Sequence, residues 1–130
     1  MKVKEKKPYK KRLELRQGDV ILVNYGKSNA GCRTSGIRPS VVVSNDAALK
    51  EENLVNVIPL YRKPSKAFQA EDILIRPVDC RGLRYEEYAQ PMQMQILQRF
   101  RIIKRIGHIK NDSILCEIAN AIWNSINKEI

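Results

Sequence analysis

The chain has few of the residues that build metal sites or disulfide frameworks. Its three cysteines, Cys32, Cys80 and Cys116, are far apart in sequence, and His108 is its one histidine. No C-x-x-C pair is present, so neither a structural zinc site nor a disulfide framework is expected, and the isolated thiols fit a reducing compartment.

Long apolar runs are also missing. No stretch approaches the roughly 20 residues that a membrane-spanning helix needs. The first residues are basic rather than apolar, unlike those of a signal peptide. We therefore predict a cytoplasmic protein without membrane contact. A chain of 130 residues is expected to fold around one core, as a single domain.

Acidic residues are too few to balance the basic ones. The chain has 24 Lys and Arg against 14 Asp and Glu, a formal net charge of +10. This excess predicts a polyanionic partner, with nucleic acid favoured over a membrane surface. Residues 1–16 hold eight of the cations and are predicted to form a flexible basic arm, either a solubilising extension or a phosphate contact. Residues 17–130 are the predicted folded domain.

One stretch, residues 36–46, combines features that favour phosphate binding. It reads GIRPSVVVSND. Pro39 fixes its own φ and favours extended geometry at Arg38, and the following valines favour a buried strand. Arg38 is thus predicted at the lip of that strand, where a guanidinium can bind a phosphate. The preceding loop, residues 27–36, is either a plain connection or a source of binding contacts; its candidates are Arg33, Thr34 and Ser35.

The remaining sequence predicts more strands and a long helix. Strands are expected at residues 18–23, 38–44, 54–61, 72–76, 88–96 and about 104–109, with a short helical turn at 47–52. The spacing of Ile103, Ile106 and Ile109 also suits a helix in the last of these segments. Pro59 lacks an N–H, so the third strand is predicted to lie at an edge or to carry a bulge. In the strand at 88–96, alternation predicts one core-facing side with Met92, Met94 and Ile96.

The C-terminal segment predicts an amphipathic helix that begins at Asn111-Asp112 and ends near Lys128. Trp123, on this helix, is predicted to pack in the core or in a dimer. Several strands with one terminal helix over a sheet face predict an α+β fold, mainly β: a small barrel or strongly bent sheet with a C-terminal amphipathic helix.

These residues resemble the PemK/MazF toxins of bacterial type II toxin–antitoxin pairs. The similarity covers most of residues 17–125, and the segments that carry it are Gly18-Asp19-Val20, Gly36-Ile37-Arg38-Pro39 with the valines, Pro59-Leu60, Gln95-Ile96 and residues 106–109. It implies an SH3-like barrel, a homodimer and an endoribonuclease that cleaves single-stranded messenger RNA without metal or cofactor. It also implies an acidic antitoxin protein as inhibitor, and DNA contact through the complex with it.

The reaction that the resemblance implies is attack of a ribose 2′-hydroxyl on the adjacent phosphate, which leaves a cyclic phosphate and a 5′-hydroxyl. It requires a proton acceptor, a proton donor and positive charge on the phosphate. Arg38 matches the family's arginine and suits the last role. Tyr61 stands where the family has a serine or threonine, and we assign it as the second catalytic residue. Met94 stands where some members have an acid, so no general base is identified. Substrate contacts are assigned to Arg33, Thr34, Ser35, Arg62, Gln95 and Arg99.

Two other functions stay open on the sequence. One is a nucleic-acid-binding or regulatory module of the same fold with impaired cleavage, motivated by Tyr61 and Met94. The other is a poison of DNA gyrase, the target of a related barrel toxin family, although that activity does not require the phosphate contact that Arg38 predicts. His108 is either an ordinary partly exposed histidine or a catalytic one.

Overall fold

A computed structural model describes residues 13–27, 34–51, 53–63 and 72–127, which form a seven-stranded antiparallel sheet and a C-terminal helix. The strands are β1 (Asp19–Asn24), β2 (Ile37–Val42), β3 (Leu54–Tyr61), β4 (Ile73–Ile75), β5 (Glu87–Ala89), β6 (Gln95–Gln98) and β7 (Ile102–His108). The helices are α1 (Asp46–Glu51) and α2 (Asp112–Ile126), with 3₁₀ turns at Pro91–Gln93 and Arg99–Arg101.

The sheet is organised around β3. The strand order is β4-β5-β3-β2-β1-β7, and β6 pairs with the first half of β3. All pairs are antiparallel, and the register of β1 against β7 is interrupted twice, which adds local bending. Within the described residues, β4 and β7 lie at the two ends of this order without pairing with each other. The predicted class, an α+β barrel-like sheet with a terminal helix, is confirmed.

Both faces of the central strands are buried. On one face Val20, Val41 and Ile58 form a core that α2 covers. On the other face Ile21, Val42 and Val57 form a second core. A strand that buries both faces needs a continuous apolar run instead of alternation, which explains the sequences VILV in β1 and VVV after Ser40. Each fully buried side chain of this size contributes about 1.5–3 kcal/mol to folding.

The helix predicted at the C-terminus is confirmed. Asn111 is its N-cap, and its side-chain oxygen accepts a hydrogen bond from the Ser113 amide at 3.0 Å. Ile114 and Ile118 face the first core and are buried. Trp123, in contrast, is 59% exposed and does not pack in that core. No helix in the described residues is long and apolar enough to cross a membrane.

The single strand predicted at residues 88–96 is wrong. The chain forms β5, then the 3₁₀ turn Pro91–Gln93, and then β6. Pro91 has no N–H to donate to a sheet, and the Gln90 side chain accepts a hydrogen bond from the Met92 amide at 2.8 Å, which stabilises the turn. As a result the predicted core-facing side is 37–64% exposed, at Met92, Met94 and Ile96.

The edge position predicted for the third strand is also wrong. β3 has partners on both sides, with Pro59 opposite Ser40 of β2. On its other side, β3 pairs with β6 up to Val57 and with β5 from Leu60 onward. Pro59 lies between the segment of β3 that pairs with β6 and the segment that pairs with β5. Its missing N–H therefore interrupts neither the β3–β6 nor the β3–β5 ladder.

The folded part of the chain begins before residue 17. Leu15 is buried against the second core, and Leu13 packs beside it. The Leu13 carbonyl accepts a hydrogen bond from Arg99 Nη1 at 2.8 Å. Leu13 and Leu15, which lie in the segment predicted as a flexible arm, therefore pack on the folded part of the chain. The remainder of that predicted arm, residues 1–12, lies outside the described residues.

Candidate active site

Arg38 is held at the end of β2 against an aromatic ring. Ser40 is paired with Pro59, and continuing this antiparallel register by two residues places Arg38 opposite Tyr61. The Arg38 guanidinium carbon lies 4.4 Å from the centre of the Tyr61 ring, which is cation–π geometry. The strand pairing and the ring together position the half-buried cation at the rim of the sheet.

The Arg38 side chain has an unused donor. Its Nε is buried, and no described residue accepts a hydrogen bond from it. An unsatisfied buried donor typically costs about 1–3 kcal/mol. An anion that supplied an acceptor here would remove this cost, and a phosphate matches the forked donor geometry of a guanidinium.

A chain of polar side chains lies beside Arg38. The Tyr61 hydroxyl and Thr34 Oγ1 are 2.7 Å apart, and Gln95 Nε2 donates to the same Thr34 oxygen at 2.9 Å. Thr34 is only 2% exposed, so this contact is shielded from water. The structure therefore joins four of the predicted site residues, Arg38, Tyr61, Thr34 and Gln95, from three distant parts of the chain.

Tyr25 and Ser40 border the same cluster, and sequence reasoning did not identify them. Their hydroxyl oxygens are 2.6 Å apart. Burial raises the pKa of Tyr25 to about 12, although Ser40 and Arg38 act in the opposite direction. Tyr25 is therefore a protonated phenol at neutral pH and not a base, and either hydroxyl of the Tyr25–Ser40 pair can be the donor. Strand alternation is the sequence signal that could have identified Ser40, because Ser40 lies two residues after Arg38 and therefore on the same face of β2.

The other predicted substrate contacts fall in different surroundings. Ser35 is half-buried beside Thr34, while Arg33 lies outside the described residues. Arg62 is exposed, with its guanidinium 3.5 Å from the centre of the Tyr85 ring. Arg99 donates to two backbone carbonyls, those of Leu13 and Leu49, at 2.8 and 2.6 Å. These bonds tie Arg99 to the N-terminal segment and α1.

A basic groove of about 610 Å³ adjoins Arg38. Its charged lining residues in the described chain are Arg38, Arg62, Arg84, Lys104, Arg105 and Glu87. Glu87 is buried in its wall, and burial raises the pKa of this carboxyl group while Arg62 and Arg38 act to lower it. Sequence reasoning missed Glu87, since Glu86-Glu87 resembles an ordinary solvated pair.

His108 belongs to another cluster. Its Nδ1 lies 2.8 Å from the buried carboxylate of Asp19, which also accepts a hydrogen bond from the Arg16 amide at 2.8 Å. His108 Cε1 lies close to Gly18, on the side of the sheet where Leu115 of α2 packs. Its observed role is thus to pair with a buried acid near the base of α2.

The fold is found in solved toxin structures. MazF from Deinococcus radiodurans superposes with a TM-score of 0.73 at 14% identity, covering 89% of this chain and 99% of that one. In a MazE–MazF complex from the same organism, the matched chain gives 0.69 at 15% identity, with 90% and 100% covered. A mycobacterial endoribonuclease in complex with its cognate antitoxin gives 0.67 at 16% identity, with 90% and 97% covered.

A comparison with curated protein sequences finds no match. The family model of the PemK-like, MazF-like toxins, in contrast, matches residues 16–125, which include β1, the Arg38 strand and nearly all of α2. The sequence match and the shared fold lead to one conclusion: this chain belongs to the PemK-like, MazF-like toxin family of type II toxin–antitoxin systems.

Proposed function

We propose that this chain is an endoribonuclease toxin that cleaves single-stranded messenger RNA in the cytoplasm without a metal ion. The observation that carries the proposal is Arg38, a half-buried cation held over the Tyr61 ring, with a buried Nε that has no hydrogen-bond acceptor among the described residues. Such a group is prepared for an anionic ligand before the ligand arrives. The family membership makes RNA phosphate the ligand of choice.

The cluster supports catalysis by charge stabilisation. Arg38 donates to the non-bridging oxygens of the scissile phosphate and stabilises the charge of the pentacoordinate state. The Tyr61 hydroxyl contributes a further donor, and its orientation is set by Thr34 and Gln95. Because these groups are placed in advance, no reorganisation is needed at the moment of reaction.

The groove beside Arg38 fits an unpaired strand. Its cations neutralise phosphates on either side of the scissile bond. Tyr85, which also lines it, is 45% exposed and offers a ring on which an unpaired base can stack. We assign the RNA path to this groove because it places phosphate contacts and a stacking ring next to Arg38.

An acidic antitoxin is the proposed inhibitor. The solved complexes from Deinococcus and mycobacteria each contain a toxin of this fold with its antitoxin. For this chain we propose that an acidic, partly disordered segment covers the same cations, because charge complementarity favours that contact. DNA contact, if the pair regulates its own expression, occurs through the antitoxin complex.

A homodimer is part of the same proposal. The apolar side chains of α2 continue beyond the core as an exposed surface that includes Trp123 and Ile126, next to Met94. Contiguous exposed apolar surface of this kind marks interaction sites. Sedimentation equilibrium tests the expectation, with a dimer mass as the expected result and a monomer at micromolar concentration as the contrary one.

The central test is cleavage of a long single-stranded RNA in the presence of chelator. Wild-type protein is expected to give discrete fragments with 2′,3′-cyclic phosphate and 5′-hydroxyl ends. Arg38→Ala should slow cleavage about a hundredfold or more, the usual loss for one pre-placed donor. Arg38→Lys should be nearly as slow, because an ammonium group keeps the charge but cannot form the paired contact. Arg76→Ala, at an exposed arginine on the connection after β4, is the matched control.

Two outcomes would contradict the proposal. Intact RNA at high wild-type concentration, together with salt-sensitive binding, would favour a module that has lost cleavage. Equal rates for wild type and Arg38→Ala would remove Arg38 from the site. A substrate with a single 2′-deoxyribose at the mapped position should resist cleavage there, because the attacking hydroxyl is missing.

A further inference from the structure

The groove beside Arg38 contains a carboxylate that the described charge-stabilising groups leave unused. Glu87 lines this groove together with five cations, and its cavity of about 610 Å³ is large enough for a nucleotide. Among the charged residues described there, it is the one anion. Cations in a groove increase its affinity for RNA, and a carboxylate decreases it. The presence of Glu87 in this groove is therefore better explained by a chemical role than by RNA binding.

Glu87 is placed by strand pairing at the start of β5, in the groove that Arg38 also lines. The last residue pair between β3 and β5 is Tyr61 with Tyr88, and Glu87 is the next residue along β5, on the side of Arg62. It is 6% exposed. Because side chains alternate along a strand, Glu87 faces away from Tyr88 and Tyr61 and toward the groove, which Arg38 and Arg62 also line. It stands on a rigid element instead of a loop.

No residue in the described part of the chain forms a structural bond with this carboxylate. Among the described residues, no hydrogen bond or salt bridge involves the Glu87 side chain. Arg62 and Arg38 act on it only as nearby charges. A buried carboxylate with free acceptor positions, facing a groove, can take a proton from a ligand.

Burial raises the pKa of Glu87 above the usual range for a glutamate, against the influence of Arg62 and Arg38. A raised pKa increases the basicity of the ionised carboxylate, which suits general-base work near neutral pH. The titratable groups that face it from neighbouring elements are arginine, lysine and tyrosine side chains, namely Arg38, Arg62, Arg84, Tyr85, Lys104 and Arg105. Groups of these types do not change charge in the acidic range, so a titration there belongs to Glu87.

We propose that Glu87 is the general base of this toxin, taking the proton of the attacking 2′-hydroxyl. The step rests on the proposed ribonuclease function. The O2′–H bond breaks and its proton passes to the Glu87 carboxylate, while O2′ forms a bond to phosphorus. The P–O5′ bond breaks with its electron pair on O5′, which takes a proton from water at the open side of the groove. Glu87 then releases its proton to water.

The test compares Glu87→Gln with Glu86→Gln in the RNA cleavage assay. Glu86 is the matched control because it is the neighbouring residue and is exposed. Glu87→Gln should lower kcat about a hundredfold or more with little change in KM, the usual contribution of a general base. The wild-type rate should rise with pH as the carboxylate ionises, and Glu87→Gln should lose this acidic limb while Glu86→Gln keeps it.

A second pair of measurements covers the case in which Glu87→Gln does not fold. Glu87→Asp keeps a carboxylate and should retain the acidic limb at a reduced rate. Glu87→Ala should regain activity when formate is added, because a small carboxylate can occupy the vacated space. A purely structural role predicts neither the retained limb nor the rescue.

The outcomes separate this inference from the proposed function. If wild-type protein cleaves no RNA, the ribonuclease proposal itself fails. If wild type cleaves and Arg38→Ala does not, but Glu87→Gln retains the wild-type rate and acidic limb, Glu87 is not the base. Absence of formate rescue in a folded Glu87→Ala variant would overturn the inference in the same way.

Discussion

Two residues restrict the conformation of Arg38: Pro39 restricts its backbone, and Tyr61 restricts its side chain. Pro39 disfavours helical geometry at the residue before it, and this effect is readable in the sequence. The Tyr61 ring supports the guanidinium from the adjacent strand, and this contact depends on pairing between residues 23 positions apart. The sequence thus predicts Arg38 as a site residue, whereas the orientation of its side chain depends on how the strands pair in the sheet.

Two substitutions separate the contribution of the Tyr61 ring from that of its hydroxyl group. Tyr61→Phe removes the contact with Thr34 and should slow cleavage about two- to tenfold, since one hydrogen bond contributes about 0.5–1.5 kcal/mol. Tyr61→Leu also removes the ring beneath Arg38 and should slow cleavage further, because cation–π contacts add about 0.5–2 kcal/mol. Steady-state kcat/KM on a short RNA measures both effects.

Tyr88→Phe is the control for these variants, because Tyr88 is the register partner of Tyr61 on β5. Its rate should stay near wild type. Wild-type rates for Tyr61→Phe and Tyr61→Leu would show that the tyrosine only fills space at the end of β3.

At the scale of elements, β6 brings Gln95 to the site and the preceding 3₁₀ turn makes this possible. Pro91 ends the extended run after β5, and the chain then pairs with the first half of β3, where Gln95 lies opposite Val57. From this position its amide reaches Thr34. The same rearrangement exposes Met94, which a continuous strand would have buried.

The C-terminal helix should affect stability without affecting chemistry. Asn111→Ala removes the N-cap acceptor of α2 and should cost about 1 kcal/mol of unfolding free energy, which lowers Tm by roughly 4 °C in a domain of this size. RNA cleavage at 25 °C should stay at the wild-type rate, because the cap does not contact the Arg38 cluster. Thermal unfolding followed by circular dichroism measures the shift.

Lys110→Ala, one residue before the cap and exposed, controls for the loss of a surface side chain. A Tm equal to that of wild type in Asn111→Ala would mean that the cap bond does not stabilise α2. Loss of cleavage at an unchanged fold would mean that the helix communicates with the site.

At the scale of the whole molecule, folding collects positive charge in the groove beside Arg38. The net charge is +10, and the basic groove collects cations from β2, β7 and the loops before β4 and β5. These residues are far apart in sequence, so folding raises the local charge density well above that of the unfolded chain. The attraction of this groove for a polyanion is accordingly a property of the tertiary structure as well as of composition.

Lys104→Ala tests the groove as the RNA path. In an Arg38→Ala background, which prevents cleavage, removal of one phosphate contact should weaken binding of single-stranded RNA. It should also make the slope of log K against log salt shallower by about 0.7. Fluorescence anisotropy at several salt concentrations measures the slope. Lys110→Ala, at an exposed lysine outside the groove, should leave it unchanged, and an unchanged slope in Lys104→Ala would place the RNA elsewhere.

Local sequence signals determined β3, α2 with its Asn111 cap, and the placement of Arg38, because each depends on residues within a few positions of one another. Tertiary structure alone decided three other features: that β3 is interior, that Tyr61, Thr34 and Gln95 meet at Arg38, and that Glu87 is buried beside arginines. The physical reason is that strand pairing joins distant residues and removes water from them. Pairing and desolvation, more than residue type, therefore set which polar groups lie together in the candidate site.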